Sequence, residues 1–349
     1  MALPFNIFNI GKVSKSYLGV DIGTLSIKIV ELSNESGRSK LQNYAILSNY
    51  NLAENPTPKV FGGEAPLMLR RMLKESEITA KEINMSVPIF SSFLTVMELP
   101  QMPESEIASA IQFEAKKYIP VPLDSVLIDW SLIGSVPGKI LILLIAIPKD
   151  LVNEYSAVVK EADLKLINLE LETMSAARAL IGNDSVPAVL MDMGSRDTTI
   201  SIVDGGRPII SHSIETSGED LTRGLANSLN INWRRAEELK KEQGLKIMDN
   251  NNQVGGVLIP LLDIIVGAAK NIINLYSSKS GKKIEKLIIY GGAAKMPGFA
   301  QYLKNNLGFD VFIGNPFGKI MHDEKLNPVI KDIGHEFAIA VGLALKAMQ

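Results

Sequence analysis

Two stretches far apart in the chain repeat one pattern: Tyr17 to Leu32 (YLGVDIGTLSIKIVEL) and Ala188 to Val203 (AVLMDMGSRDTTISIV). Each is an apolar run ending in Asp-x-Gly, then a tight polar turn, then a run in which apolar and polar residues alternate. The pattern reads as strand, glycine turn, strand. It sets Asp21 and Asp192 at the mouths of buried strands, each beside a turn whose backbone N–H groups are free to meet an anion. A duplicated device of this kind restricts the fold to two related α/β halves around one ligand, and the loop chemistry points to a nucleotide.

The rest of the composition agrees with a multi-lobed globular protein. At 349 residues the chain exceeds one ordinary core, and its 46% apolar and 21% charged residues lie near the globular average. A net charge of −2 with no basic stripe argues against a general nucleic-acid binder. The absence of cysteine excludes disulfides, thiolate zinc sites and cysteine nucleophiles, and fits a reducing cytosol. The apolar runs Ile140 to Ile147 and Val257 to Leu262 fall short of the roughly 20 residues that span a bilayer, so no membrane span is expected. In residues 1–16, Phe5, Ile7, Phe8 and Ile10 precede the lysines, the reverse of a secretory signal. This tail is expected to stay attached, either frayed or docked on a membrane or partner.

Between the two devices the pattern changes. Tyr17 to about Tyr50 reads as a strand meander, Pro66 to about Ser76 as a helix with Leu67, Leu69, Met72 and Leu73 on its apolar side, and Ile83 to Val87 as a strand. From about Pro88 to Leu164 the chain has its own rhythm, which marks an inserted subdomain. A strand Phe93 to Leu99 precedes a helix with Glu104 and Glu106 in its first turn; strands Val126 to Ile133 and Lys139 to Ile147 and a helix Lys149 to Ala162 follow. The second half adds helices at Glu219 to Leu229, Trp233 to Gln243 and Val257 to Ser277, a strand Lys286 to Tyr290, and a last helix from about Glu336 to Met348.

The loops supply the candidate chemistry. Gly23 lets the backbone approach a phosphate, Thr24 and Ser26 add hydroxyl donors, and Lys28 can neutralise charge across the turn; Gly194, Ser195, Thr198 and Thr199 repeat the theme. Arg196 and Asp197 fill the second turn, and the Asp197 carboxylate would repel a triphosphate unless Arg196 or a metal offsets it. A third glycine motif, Tyr290-Gly291-Gly292, leaves bare backbone for an adenine or ribose. Glu237 and Lys240 share one side of a helix. Glu170 and Glu172 alternate on a predicted strand, either to orient a water or as surface carboxylates beside a helix start. His212, His322 and His335 have no metal-ligand spacing and read as structural.

These three glycine loops resemble those of the actin, DnaK-chaperone and sugar-kinase superfamily. That resemblance implies an actin-like, ribonuclease H-like duplication around a nucleotide cleft. It implies ATP or ADP with Mg, Asp21 and Asp192 holding the metal directly or through water, adenosine near Gly218, Glu237, Lys240, Gly291 and Gly292, and a water-orienting residue near Glu170 and Glu172.

Within the superfamily the chain resembles the PilM family of type IV pilus assembly proteins. The likeness rests on Val87-Pro88, Leu99 to Pro103 (LPQMP), Ile111 to Pro120 (IQFEAKKYIP), Asp129-Trp130, Ala146 to Lys149 (AIPK) and Glu161 to Leu164 (EADL). It implies lobe 1 over 17–87 and 165–186, an inserted subdomain 1C of the FtsA and PilM type over 88–164, lobe 2 over 187–334 with a subdomain 2B at about 217–285, and a terminal helix over 335–349 that returns to lobe 1. The implied function is a cytoplasmic ATP-binding scaffold, peripheral to the inner membrane of a machine that drives twitching motility, with weak or absent hydrolysis. The implied partners are the cytoplasmic tail of PilN and the pilus motor ATPases, with self-association left open. Ile107, Ile111 and Tyr118 belong either to the groove that takes the tail or to a plain core helix. An FtsA-like cell-division protein, a small-molecule kinase and the cytoplasmic part of a type II secretion L protein are the rival readings.

Overall fold

The computed structural model describes residues 16–49, 63–246 and 253–348. The apolar positions of the amino-terminal tail lie outside them. Along the chain, strands β1 (Ser16–Ile22), β2 (Ser26–Glu35) and β3 (Arg38–Ser48) form a meander, and helix α1 (Ala65–Glu75) starts with Pro66, whose missing N–H costs nothing in a first turn. Leu69, Met72 and Leu73 face the core, whereas Leu67, expected beside them, is exposed. Then come β4 (Glu82–Val87), β5 (Phe93–Pro100), α2 (Glu104–Glu114), β6 (Val126–Val136), β7 (Lys139–Pro148), α3 (Lys149–Glu161), β8 (Lys165–Leu171) and α4 (Glu172–Leu180). The second half contains β9 (Ala188–Met193), β10 (Thr198–Asp204), β11 (Arg207–Ile214), α5 (Gly218–Leu229), α6 (Trp233–Glu242), α7 (Gln253–Ser280), β12 (Lys286–Tyr290), α8 (Phe299–Leu307), β13 (Asp310–Ile313), α9 (Asn327–Ile333) and α10 (Ala338–Lys346).

The repeat seen in the sequence is a repeat in topology. One five-stranded sheet has the order β3-β2-β1-β4-β8 and the other β11-β10-β9-β12-β13. In both, the first three strands are antiparallel and the remaining pairs parallel, so each Asp-x-Gly strand is central and buried. The segment between β4 and β8 forms an antiparallel sheet of its own, β5-β7-β6, over a separate core of Met97, Leu99, Ile142 and Leu144 with Ile107 and Ile111 of α2.

Two helices join the halves. Ala176 and Ala177 of α4 and Ala338 and Leu343 of α10 share a core with Leu190, Val203 and Tyr290 of the second sheet. Small residues are obligatory there: a Cβ on Gly342 would lie 1.9 Å from the Ser175 carbonyl oxygen, and one on Gly19 2.1 Å from that of Ala340. The terminal helix expected from about Glu336 is present as α10, with its start two residues later. α9 ends at Ile333 and a 3₁₀ turn, Gly334–Phe337, intervenes before α10.

The search for unbroken apolar runs misses one long helix. α7 is a 28-residue helix with a mean hydropathy of 1.8 over its most apolar 18-residue stretch, long and apolar enough by length and composition to cross a bilayer. Asp263 and Lys270 interrupt its apolar runs, so a search for unbroken runs passes over it. Its inner side, with Leu258, Leu262, Ile265, Ala269 and Ile272, packs on the second sheet.

Candidate functional site

The two glycine turns open on one cavity of about 980 Å³ between the halves. Its size matches the upper range of small-molecule sites. In the first turn, Gly23 N–H donates to the Ser26 carbonyl (2.9 Å), which closes the loop tightly. Asp21 and Lys28 sit opposite each other across the β1–β2 pair. The Lys28 ammonium lies 3.5 Å from Asp21 Oδ2 and donates to Ser26 Oγ at 2.8 Å, while Ser86 donates to Asp21 Oδ1 at 3.3 Å. The second turn differs in detail. Thr199 pairs with Asp192 across the strands and donates to Asp197 Oδ2 at 3.0 Å.

The third glycine motif completes the floor. Tyr290 stands beside Asp192 in the sheet, and Gly291 has φ +87° with its missing Cβ 2.2 Å from Asp192 Oδ1. Any other residue would be strained and would displace that carboxylate. Gly291 N–H donates to the carbonyl of His335, which fastens the 3₁₀ turn to the site and brings Glu336 to the cavity wall.

Opposite, α5 and α6 build a buried polar cluster. Lys240 uses its ammonium on the Gly218 carbonyl, Thr222 Oγ1 and Glu237 Oε2, each at 2.7 Å. All three of its donors are thereby engaged, so Lys240 serves as a post that fixes the start of α5. Burial opposes the charge on Glu237, but Lys240, with Thr222 and Lys241, outweighs it and holds the carboxyl below its usual range.

The floor of the cavity is acidic. Burial first, then Asp21, Asp197 and Asp192, push Glu172 well above the ordinary glutamate value, and burial first, then Asp197 and Asp21, do the same to Asp192. Burial also works against Lys28, yet Asp21, Glu336 and Asp192 together raise it above an ordinary lysine. One ammonium therefore faces an excess of carboxylates. Among the described residues no three His, Asp or Glu side chains converge closely enough to enclose a metal by themselves. This donor set suits Mg²⁺, which typically takes one or two carboxylates and completes its shell with water and substrate phosphate.

The cavity gathers Asp21, Gly23, Thr24, Ser26, Lys28, Glu172, Asp192, Gly194, Ser195, Gly218, Glu237, Lys240, Gly291 and Gly292. Several expected residues are elsewhere. Glu170 and Glu172 do not share a face, because β8 ends at Leu171 and Glu172 opens α4. Glu170 is clamped outside the cavity by both Arg178 amino groups, at 2.5 and 2.8 Å, and by Ser175 at 2.6 Å. Thr198 is fully buried with its hydroxyl spent on the Thr216 carbonyl (2.7 Å), and Thr199 lines the cavity instead. Ile107 and Ile111 form the floor of the insert core, so of the three groove candidates only Tyr118 keeps exposed surface.

Residues missed in the sequence also line the site: Tyr290, Glu336, Trp233, and Phe90, Glu154 and Tyr155 from the borders of the insert. Glu336 had a faint signal, as an acid at the head of an apolar helix. Tyr290 lies within the third glycine motif, Trp233 opens α6 without a local signal, and the roles of Phe90, Glu154 and Tyr155 depend on how the insert leans on the cleft.

Two matched five-stranded halves, joined by paired helices and facing one cleft across duplicated Asp-x-Gly turns, define an actin-like fold. The family model for the type IV pilus assembly protein PilM matches residues 19–348, and the chain belongs to that family. A solved PilM-PilN type IV pilus biogenesis complex is similar at 22% identity and a TM-score of 0.82, over 95% of this chain and 98% of that one. MreB5 of Spiroplasma citri bound to AMPPNP is similar at 12% identity and a TM-score of 0.57, over 95% of each chain. Among curated proteins, the cell division protein FtsA of Bacillus subtilis is 22% identical over 179 residues, 45% of this chain and 41% of that protein, so the match spans less than half of that relative.

Proposed function

We propose that the chain is an ATP-binding scaffold on the cytoplasmic side of the type IV pilus inner-membrane complex, where it captures the amino-terminal tail of PilN and links it to the motor ATPases. The observation that carries this reading is family membership along nearly the whole chain. A similar solved chain is one of a PilM-PilN complex, and a more distant one holds AMPPNP. The protein would be peripheral to the membrane through its partners, and self-association is compatible with the fold.

In this reading Gly23, Thr24, Ser26, Lys28, Gly194 and Ser195 hold the phosphates; Gly218, Glu237, Gly291 and Gly292 border adenosine; and Asp21 and Asp192 hold Mg²⁺ through water. Bound Mg²⁺ supplies charge neutralisation on the phosphates. Glu172 orients a water at the cavity floor, and turnover is slow. The lobes divide as the sequence suggests, at 17–87 and 165–186, 187–334 and 335–349, with the insert at 88–164. Nucleotide fixes the angle between lobes, a coupling worth about 1 to 3 kcal/mol to partner affinity.

The test is calorimetric titration of a synthetic PilN tail peptide into the protein, with and without Mg-ATP. Saturable binding that strengthens or weakens with nucleotide supports the proposal. No binding refutes the partner, and equal affinities refute the coupling.

A further inference from the structure

Arg196 is a cation on the wall of this cleft. It lies in the second glycine turn, exposed, and among the described residues its guanidinium makes no hydrogen bond or ion pair. Its central carbon lies instead 4.7 Å above the ring centroid of Phe90. Phe90 belongs to the short 3₁₀ turn Ile89–Ser91, where the chain leaves the first half and passes into the insert. Both side chains line the cavity beside Gly23, Thr24, Gly194 and Ser195. The turn and β5 pack against β11 of the second half, so the contact sits where the insert leans on the other lobe.

A guanidinium is planar and carries its five N–H donors in that plane. When one face rests on an aromatic ring, the cation is held by the ring's quadrupole while its edges stay open for in-plane, bidentate hydrogen bonds to an oxyanion. The neighbouring Asp197 accepts a hydrogen bond from Thr199 at 3.0 Å; it attracts Arg196 through space but, among the described residues, accepts no hydrogen bond from it.

On the nucleotide reading above, we propose that Arg196, held by Phe90, is the donor that recognises the terminal phosphate of a nucleoside triphosphate and so makes this cleft prefer triphosphate over diphosphate. The loop supplies the ligand and Phe90, a positioning residue on the insert, supplies its orientation. The same contact gives the insert a direct means of sensing the terminal phosphate.

The experiment measures Mg-ATP and Mg-ADP affinity by titration calorimetry for the full chain and for Arg196→Ala, Arg196→Lys, Phe90→Leu and the Arg196→Ala/Phe90→Leu pair, each checked for an unchanged thermal melt. Losing a charge-assisted hydrogen bond is expected to weaken ATP roughly tenfold in Arg196→Ala, with ADP unaffected. Arg196→Lys keeps the charge without the planar fork and recovers only part of the loss. Phe90→Leu lowers the ATP-to-ADP preference in the same direction, and the double substitution is no worse than Arg196→Ala. An unchanged preference in Arg196→Ala, or equal losses for both nucleotides, overturns the proposal while leaving the nucleotide site in place. A full chain that binds neither nucleotide overturns both.

Discussion

Gly342→Ala puts the joint between the two halves to the test, because local propensity and tertiary packing predict opposite signs. An interior helical glycine replaced by alanine gains about 1 kcal/mol when nothing else changes. Here the new Cβ would lie 1.9 Å from the Ser175 carbonyl oxygen and 2.5 Å from its carbon, where ordinary contact begins at 3.4 Å. α10 and α4 would have to part by about 1.5 Å, and both obstacles are backbone, which no rotamer change relieves. Parting them also strains the hydrogen bond from Arg178 to the Gly342 carbonyl (2.8 Å) and opens the seam around Ala176, Ala177 and Leu343. Overpacking of this kind costs about 1 to 3 kcal/mol, and the absence of any yielding side chain places this case at or above the upper end. Set against the propensity gain, the net loss is about 2 kcal/mol, or a fall in Tm of roughly 3 °C for a chain of this length unfolding as one unit. Gly256 and Gly267 in α7 are the controls, since a Cβ at either meets nothing within 4 Å and alanine there should stabilise. The assay is thermal and urea unfolding of the three variants followed by circular dichroism. A Gly342→Ala protein as stable as the controls would refute the packing of these helices.

Asp21→Ala should abolish Mg-ATP binding with an unchanged circular dichroism spectrum; retained affinity would show that the first turn does not face the ligand. Lys240→Met removes the buried ammonium from the Glu237 carboxylate and the Gly218 carbonyl, leaving them the Thr222 hydroxyl, and should destabilise the α5–α6 region by about 3 kcal/mol. Hydrogen exchange confined to those helices would report it, and unchanged protection there would contradict the post role. His335 is held down to about 4, by burial first and then by Lys295. Its folded pKa lies below the unfolded value near 6.5, so its contribution to stability is present above that value and is lost as pH falls from about 6.5 to about 4, with a slope of at most about 1.4 kcal/mol per pH unit. Urea midpoints of wild type and His335→Asn should diverge only in that window, and parallel curves would count against the burial of the imidazole.

Patterns with a short range in sequence were readable in advance. The Asp-x-Gly strands, the insert's β6–β7 hairpin and most helix starts follow from alternation, turn residues and first-turn acids. The duplication was visible for the same reason, since two copies of one local device imply two copies of its sheet. Where expectation failed, a contact between distant segments decided the outcome. Glu170 and Glu172 have the spacing of one strand face, but Ser175 and Arg178 draw Glu170 aside while Leu171 turns the chain into α4. Thr198 and Thr199 are equivalent by pattern, and the Thr216 carbonyl takes the first. α2 had two exclusive uses for Ile107 and Ile111, and the insert's own core claims both.

The sequence by itself determined that this chain builds two glycine-turn halves, because backbone pleat, apolar alternation and tight turns are local properties of consecutive residues. Only the tertiary structure decided which side chains meet across the cleft. Tyr290, Glu336 and the Phe90–Arg196 contact belong to segments far apart in the chain, and their approach is set by the glycine seams that let α10 settle onto β1 and α4. That approach depends on the sum of packing contacts over both halves, a quantity no single stretch of residues encodes.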